Sequence, residues 1–307
     1  MSPRTTRRTG AAKSRLVAVG ALAAAGALVL SSCGDQTDDG GDSGDGGETK
    51  TKSNAAPGAL PKSIEDAGVI KVGSDIAYAP MEFDQGGKPA GVDIDIANAL
   101  GEELGVEFQF QNNVFDNLIP SLDSGRFDII MSSMTDNKER QAEVDFVDYF
   151  SAGVSILVQK GNPEGISTLD DLCGKTVAFQ RGTVSADIAK AQNEKCDKPI
   201  KTLPFTKDTE ALQQVKQGRA VADLNDFPVA AYNARESGGG EDFEVVGEQI
   251  DAAPYGIAVS KDNAELRDAL AKALDAIIEN GEYQKVLDKW NVQQGAVDKA
   301  AVNGGNE

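Results

Sequence analysis

Gly91-Val92-Asp93-Ile94-Asp95-Ile96-Ala97-Asn98-Ala99-Leu100-Gly101-Glu102-Glu103-Leu104-Gly105-Val106-Glu107-Phe108-Gln109-Phe110 carries a helical pattern followed at once by an extended one. Ile94, Ala97, Leu100 and Leu104 fall on one helical stripe, so Val92–Leu104 predicts an amphipathic helix. Gly105 supplies the stop, because glycine enters the left-handed conformation that closes helices without steric cost. Val106–Phe110 reads as a strand, as does Val69–Val72 upstream. Downstream, Asn117–Leu122 is helical and Phe127–Met131 is again strand-like. Strands that alternate with helices imply an α/β fold with a largely parallel sheet covered on both faces.

The alternation restarts further along. Val154–Gln159, Thr176–Phe179, Thr202–Phe205, Ala220–Leu224, Phe243–Val246 and Ile257–Val259 predict strands. Ser185–Lys195, Asp208–Gln217, Asn263–Glu279 and Glu282–Trp290 predict helices. Two such sets point to two lobes, and the polar stretch after Gly295 predicts a frayed end.

Composition narrows the function. Of 307 residues, 40% are apolar and 26% charged, values typical of a globular protein. Histidine is absent, which removes Ser-His-Asp and Cys-His catalysis and the usual zinc sites. No cofactor or metal is expected. The net charge of −19 disfavours nucleic acid and anionic membrane surfaces as partners.

The N-terminus reads as an address. Arg4, Arg7, Arg8, Lys13 and Arg15 precede an apolar run over Leu16–Leu30 that is shorter than the roughly 20 residues a membrane-spanning helix needs. Residues 1–32 are therefore expected to be an export signal, with Arg7-Arg8 leaving twin-arginine export open beside the general route. Leu30-Ser31-Ser32-Cys33 resembles the bacterial lipobox, which implies cleavage before Cys33 and attachment of lipid, palmitate included, to its thiol. Residues 33–63 are rich in Gly, Asp, Ser, Thr and Lys and predict a flexible tether to the cell membrane on its outer side. In that oxidising compartment Cys173 and Cys196 are expected to pair, two buried free thiols being the other reading.

Several further stretches carry a resemblance in order. Ser74-Asp75-Ile76-Ala77-Tyr78-Ala79-Pro80-Met81-Glu82-Phe83 resembles the first ligand loop of the polar amino-acid-binding proteins of ABC importers, solute-binding family 3. Gly91-Val92-Asp93-Ile94-Asp95-Ile96 is similar to the next signature of that family. Phe115-Asp116-Asn117-Leu118-Ile119-Pro120, Ser132-Ser133-Met134-Thr135 with Glu139-Arg140, Gly174-Lys175-Thr176-Val177-Ala178 and Gly281-Glu282-Tyr283 follow in its sequence. The resemblance implies a two-lobed, type II periplasmic-binding-protein-like α/β fold with two hinge crossovers. Lobe 1 would comprise 64–149 plus 254–307 and lobe 2 would comprise 154–250, in a monomer that delivers an amino acid to an ABC permease.

Carried over residue by residue, the resemblance gives Arg140 and Thr135 the ligand carboxylate, and Arg140 suits it because a guanidinium offers paired charge-assisted donors. Thr183 would meet the same carboxylate from a helix start. Asp226 would take the ammonium, its alternative being a helix N-cap. Ser132 and Ser133 would add polar contacts, and Tyr78 and Phe115 would sandwich the aliphatic part. Asp75, Gln180 and Asn225 complete the expected site. Asp75, with an uncharged Gln180 where many relatives in that family carry lysine, implies a basic or amide side chain rather than an acidic one. Val221 and Asp223 depart from the pattern, so either the strand shifts or Asp223 is exposed. A dehydratase on the same fold and a sensor or adhesin without transport are the competing functions.

Overall fold

The computed structural model describes residues 60–305. The expected signal peptide, Cys33 and nearly all of the tether lie outside the described residues. Leu60 is already buried, as is Ile64 in helix α1 (Lys62–Ala67), so the folded body begins a few residues before the expected boundary at 64.

Strand β1 (Val69–Ser74) leads into a small antiparallel sheet of β2 (Ala77–Tyr78), β3 (Glu82–Asp84) and β4 (Pro89–Ala90). Helix α2 spans Val92–Leu104, as its periodicity predicts, and Gly105 ends it at φ 72° with its N–H on the Gly101 carbonyl. Then come β5 (Glu107–Asn112), α3 (Leu118–Asp123), β6 (Ile129–Ile130) and the single turn α4 (Lys138–Gln141). The 16-residue strand β7 (Val144–Gln159) follows, with β8 (Thr176–Gln180), α5 (Val184–Lys195), β9 (Lys201–Phe205) and α6 (Asp208–Lys216) after it. Strand β10 (Ala222–Asp226) runs straight into α7 (Phe227–Glu236), and the 18-residue β11 (Phe243–Ser260) precedes α8 (Ala264–Glu279), α9 (Glu282–Trp290) and β12 (Ala301–Val302).

The main sheet has the order β5-β1-β6-β11-β7-β10-β8-β9, with β12 added on β7. At each end the strands run parallel, β5-β1-β6 in one half and β10-β8-β9 in the other. Between them β7 and β11 pair antiparallel along nearly their whole length. A 16-residue strand reaches about 50 Å, which lets one pair of strands serve both halves. Their register slips between Val246 and Ile250, between Ile250 and Ala253, and between Tyr255 and Gly256. Such bulges bend a strand. Gly153 sits at this crossing, where a Cβ would come 2.8 Å from the Ile250 carbonyl oxygen, so a side chain would force the strands apart.

Each half is covered on both faces. Ile70, Val72, Ile129, Val147 and Ile257 meet Ile96, Leu100, Leu270, Leu274 and Leu287 from α2, α8 and α9, while Leu118, Leu122 and Phe127 fill the opposite face. In the other half Ile156, Val177 and Leu224 meet Ile188 of α5, and Leu157 and Ala178 meet Leu212 and Val215 of α6. Burial of each such side chain contributes about 1.5–3 kcal/mol. Asp95 joins two helices of the first half, accepting from Lys289 Nζ at 2.6 Å and Trp290 Nε1 at 2.6 Å. Cys173 and Cys196 form a disulfide with Cα atoms 5.4 Å apart. No described helix is long and apolar enough to cross a membrane.

Three expectations need correction. The end after Gly295 is ordered to Gly305 rather than frayed, with Ala301 and Val302 paired to Asp148 and Val147. Strand β10 ends two residues later than predicted, so Asp226 closes the strand instead of following it. Asp223 is fully buried rather than exposed, lying against Asp208 on the α6 side.

Burial raises the Asp208 carboxyl to about 7 and pushes Asp223 well above the usual carboxylate range, Asp208 repelling it further. Neither Asp223 oxygen has a hydrogen-bond donor among the described residues, so burial favours a proton kept on the pair. A folded pKa above the unfolded value of about 4 means the folded state keeps a proton the unfolded chain loses, and stability falls as pH rises from about 4 towards 7. Asp223→Asn supplies a donor without a proton. It should raise the thermal midpoint at pH 8 by about 2–4 °C, equivalent to about 1 kcal/mol, and by less at pH 5. An equal change at both pH values in thermal melts would contradict the shared proton.

Candidate functional site

The carboxyl ends of the parallel strands from both halves converge on one largely enclosed, narrow cavity. Ligand sites of open α/β sheets form at such strand ends. Asp75 follows β1, Ser132, Ser133 and Thr135 follow β6, Gln180 ends β8 and Asp226 ends β10. Tyr78 enters from the small sheet, Phe115 from the turn before α3, Arg140 from α4 and Thr183 from the start of α5. The structure thus brings together every expected site residue except Asn225.

Asn225 turns away because strand side chains alternate between faces. With Asp226 facing the cavity, Asn225 faces α6 and points its amide at Asp208, 3.4 Å away.

At one end of the cavity Arg140 Nη1 donates to the Thr135 carbonyl at 2.7 Å and Nη2 donates to the Gly182 carbonyl at 3.0 Å. Its guanidinium carbon lies 5.4 Å from the Phe115 ring centroid. Asn137 caps the short turn, accepting the Arg140 N–H at 2.9 Å, so the backbone beneath the arginine is fixed. Burial lowers the arginine pKa, against the pull of Asp187 and Asp226. Two of five N–H groups are committed, which leaves three for a partner. The Thr183 hydroxyl is already engaged, donating to the Gln180 carbonyl at 2.7 Å and accepting from the Ala186 N–H at 3.3 Å.

At the other end stands Asp226. It occupies the N-cap position of α7, where Pro228 suits the first turn, yet its carboxylate makes no capping bond. Instead the half-buried carboxylate lines the cavity, where desolvation raises it to about 6 against the Tyr255 and Tyr78 hydroxyls, which favour its charged form. The Asp226 N–H donates to Tyr78 Oη at 3.0 Å. Among the described residues, neither Arg140 nor Asp226 forms a direct ion pair.

Asp75 forms a third pole. Gln180 Nε2 donates to its Oδ2 at 2.6 Å and to the Thr206 carbonyl at 2.9 Å, so both amide N–H groups are used. Burial raises the Asp75 pKa, while Gln180 and then Lys207 lower it.

The floor under these groups was not assigned from sequence. Glu82 lines the cavity and accepts from Ser132 Oγ at 2.8 Å and Ser133 Oγ at 3.1 Å. Asp93 accepts the Ser133 N–H at 2.9 Å and the Tyr149 hydroxyl at 2.8 Å. Ser133 is held at φ 46°, a left-handed conformation uncommon outside glycine and stabilised here by those bonds. Burial and the charge of Asp93 drive Glu82 well above the carboxylate range, and Asp93 rises to about 6. An acidic residue between apolar Met81 and Phe83 was the available signal for Glu82. Val184 of the lining and Tyr255 of β11, whose hydroxyl favours ionised Asp226, were also missed, since a valine at a helix start or an aromatic within a strand reads as core. No group of three or more metal-ligating side chains occurs among the described residues.

The profile of the bacterial extracellular solute-binding proteins, family 3, matches residues 70–293. The arginine-binding protein ArgT of Corynebacterium glutamicum is 35% identical over 251 residues, 80% of this chain and 81% of that protein. A solved ancestral arginine-binding protein bound to arginine superposes with TM-score 0.68 at 38% identity, covering 73% of this chain and 98% of its own. The ancestral amino acid-binding protein AncCDT-1, a precursor of cyclohexadienyl dehydratase, gives TM-score 0.68 at 39% identity over 74% and 97%. The chain belongs to the family 3 bacterial extracellular solute-binding proteins, and its two-lobed α/β architecture is theirs.

Asp93→Ala would leave the Ser133 N–H and the Tyr149 hydroxyl without acceptors. A destabilisation of about 2 kcal/mol is expected in denaturant unfolding. A loss below about 0.5 kcal/mol would show that the Asp93 bonds do not support the site.

Proposed function

We propose that this protein is the receptor of an amino-acid ABC importer and that its ligand is basic, L-arginine foremost. It is a binding component and not an enzyme, in keeping with relatives that are themselves amino-acid-binding proteins. The observation that carries the ligand assignment is the placing of Arg140, Asp226 and Asp75 around one cavity, two anionic poles against one cationic. A zwitterion would set its carboxylate on Arg140 and its ammonium on Asp226. A guanidinium on the side chain would meet the Asp75 carboxylate, while Phe115 and Tyr78 flank the aliphatic carbons. Thr183 would contribute the N-terminus of α5 rather than its hydroxyl.

Contacts across the cavity, Arg140 to Gly182, Gln180 to Asp75 and Asp226 to Tyr78, belong to a closed cleft. The lobe boundaries 64–149 plus 254–307 and 154–250 are proposed on the course of β7 and β11, with opening at the crossings near Gly153 and Asp251. Ligand then selects the closed form. Cys33 would anchor the chain by lipid outside the cell membrane, and the closed monomer would dock on its permease.

Calorimetric titration with L-arginine should show binding that Arg140→Ala and Asp226→Ala each weaken at least about a hundredfold, with the fold kept. Retained affinity in either variant would overturn the assignment. The pH dependence has a definite sign. An ammonium on Asp226 favours its ionised form, so binding expels the proton present below about pH 6. Affinity should be full above pH 7 and about tenfold weaker at pH 5. A flat profile would exclude Asp226 as the ammonium partner.

A further inference from the structure

The family profile ends at residue 293, but the ordered chain continues to Gly305 and runs behind the ligand cavity. Val297 donates its N–H to Tyr283 Oη at 3.1 Å and Ala300 donates to Asp275 Oδ1 at 2.7 Å, which ties this segment to α9 and α8. Strand β12 then adds to β7, with Ala301 opposite Asp148 and Val302 opposite Val147. In the other half the same strand is flanked by β10, Asp226 pairing with Val154. The C-terminus therefore fills an edge that would otherwise be unpaired, one strand segment before the crossing.

Its last residues reach the loop that carries Thr135 and Arg140. Asn303, at φ 53°, donates its N–H to the Phe146 carbonyl at 3.1 Å, while its side chain accepts the Phe146 N–H at 2.8 Å and donates to Asp145 at 3.0 Å. Gly304 N–H donates to Asp148 Oδ2 at 2.9 Å and Gly305 N–H donates to Asp136 Oδ2 at 2.8 Å. Gln141 Nε2 donates to both Asp136 Oδ1, at 2.7 Å, and the Gly305 carbonyl, at 2.9 Å. Asp136 and Asp148 are almost fully buried carboxylates, and burial together with the charge of Asp136 lifts Asp148 to about 7. Two backbone N–H groups from the tail are thus directed at the two carboxylates. Gly305 approaches so closely that a Cβ would lie 2.1 Å from the Asp136 carbonyl oxygen. Asp136 in turn follows Thr135, whose carbonyl holds Arg140, and donates its own N–H to the Pro254 carbonyl at 2.8 Å on the second crossing strand.

We infer that Ala301–Gly305 is a strap that positions the Thr135–Arg140 loop through Asp136, so that a segment outside the family-matched region sets ligand affinity. The inference rests on Arg140 being the carboxylate site proposed above. No strap residue touches the cavity, so Asn303, Gly304 and Gly305 act as positioning residues.

The test uses the full chain, a truncation after Ala300, Gly305→Ala, and Val302→Ser as a control at an exposed strap position. L-Arginine affinity is measured by calorimetry, and backbone hydrogen exchange is measured on the ligand-free proteins. The truncation and Gly305→Ala should each weaken binding by at least about tenfold. Exchange should quicken at 135–141 while strand β8 stays protected, and Val302→Ser should match the parent. Asp136→Ala in the truncated chain should add little further loss, because both changes break one path. Unchanged exchange at 135–141, or losses that simply add, would overturn the strap. If the parent binds no amino acid, the ligand reading fails, and unchanged or quickened exchange at 135–141 then refutes or supports the strap by itself. Should the truncation unfold, the Gly305→Ala and Val302→Ser pair gives the same decision.

Discussion

A half-buried guanidinium and a half-buried carboxylate that line one cavity without forming an ion pair are an unfinished interaction. Desolvation has already moved both, lowering Arg140 and raising Asp226 to about 6. Each stays polarised towards a partner that the described residues do not supply. A molecule with a carboxylate and an ammonium at the matching separation completes both at once. In the proposed site the neighbouring carboxylate of Asp75 would take a further positive or N–H-bearing group, which would favour arginine over glutamate.

The fold serves this constraint at several levels. Parallel strands deliver side chains to their carboxyl ends, and two long antiparallel strands let both sets of ends share one cavity. Irregular register and a glycine at the crossing give those strands a place to bend. Beneath the cavity, Glu82 and Asp93 hold Ser132 and Ser133, so the polar floor is set before any ligand arrives. Preorganisation of that kind reduces the ordering cost of binding.

Sequence reading reached the elements whose pattern was strong. Helix α2 was legible because its apolar spacing, its glycine stop and the strand beyond it agree. The pole residues were legible only through ordered resemblance, since an arginine in Lys-Glu-Arg-Gln or an aspartate before Phe-Pro has no local mark of burial. The continuous runs of β7 and β11 were read as shorter strands because apolar runs do not announce where one lobe ends. Strand β10 was ended two residues early because Asn225 and Asp226 are polar, and Asn225, carried into the site by resemblance, falls on the face opposite Asp226. The ordered tail was hidden for another reason. Its attachment uses backbone N–H groups on distant carboxylates, and glycine and asparagine in sequence suggest only a loose end.

The most direct test is a crystal structure of the protein grown with L-arginine. The account predicts ligand density in the cavity, its carboxylate on the Arg140 guanidinium, its ammonium on Asp226 and its side-chain guanidinium against Asp75. Density in the reversed orientation, or an arginine bound elsewhere with this cavity filled only by solvent, would contradict it.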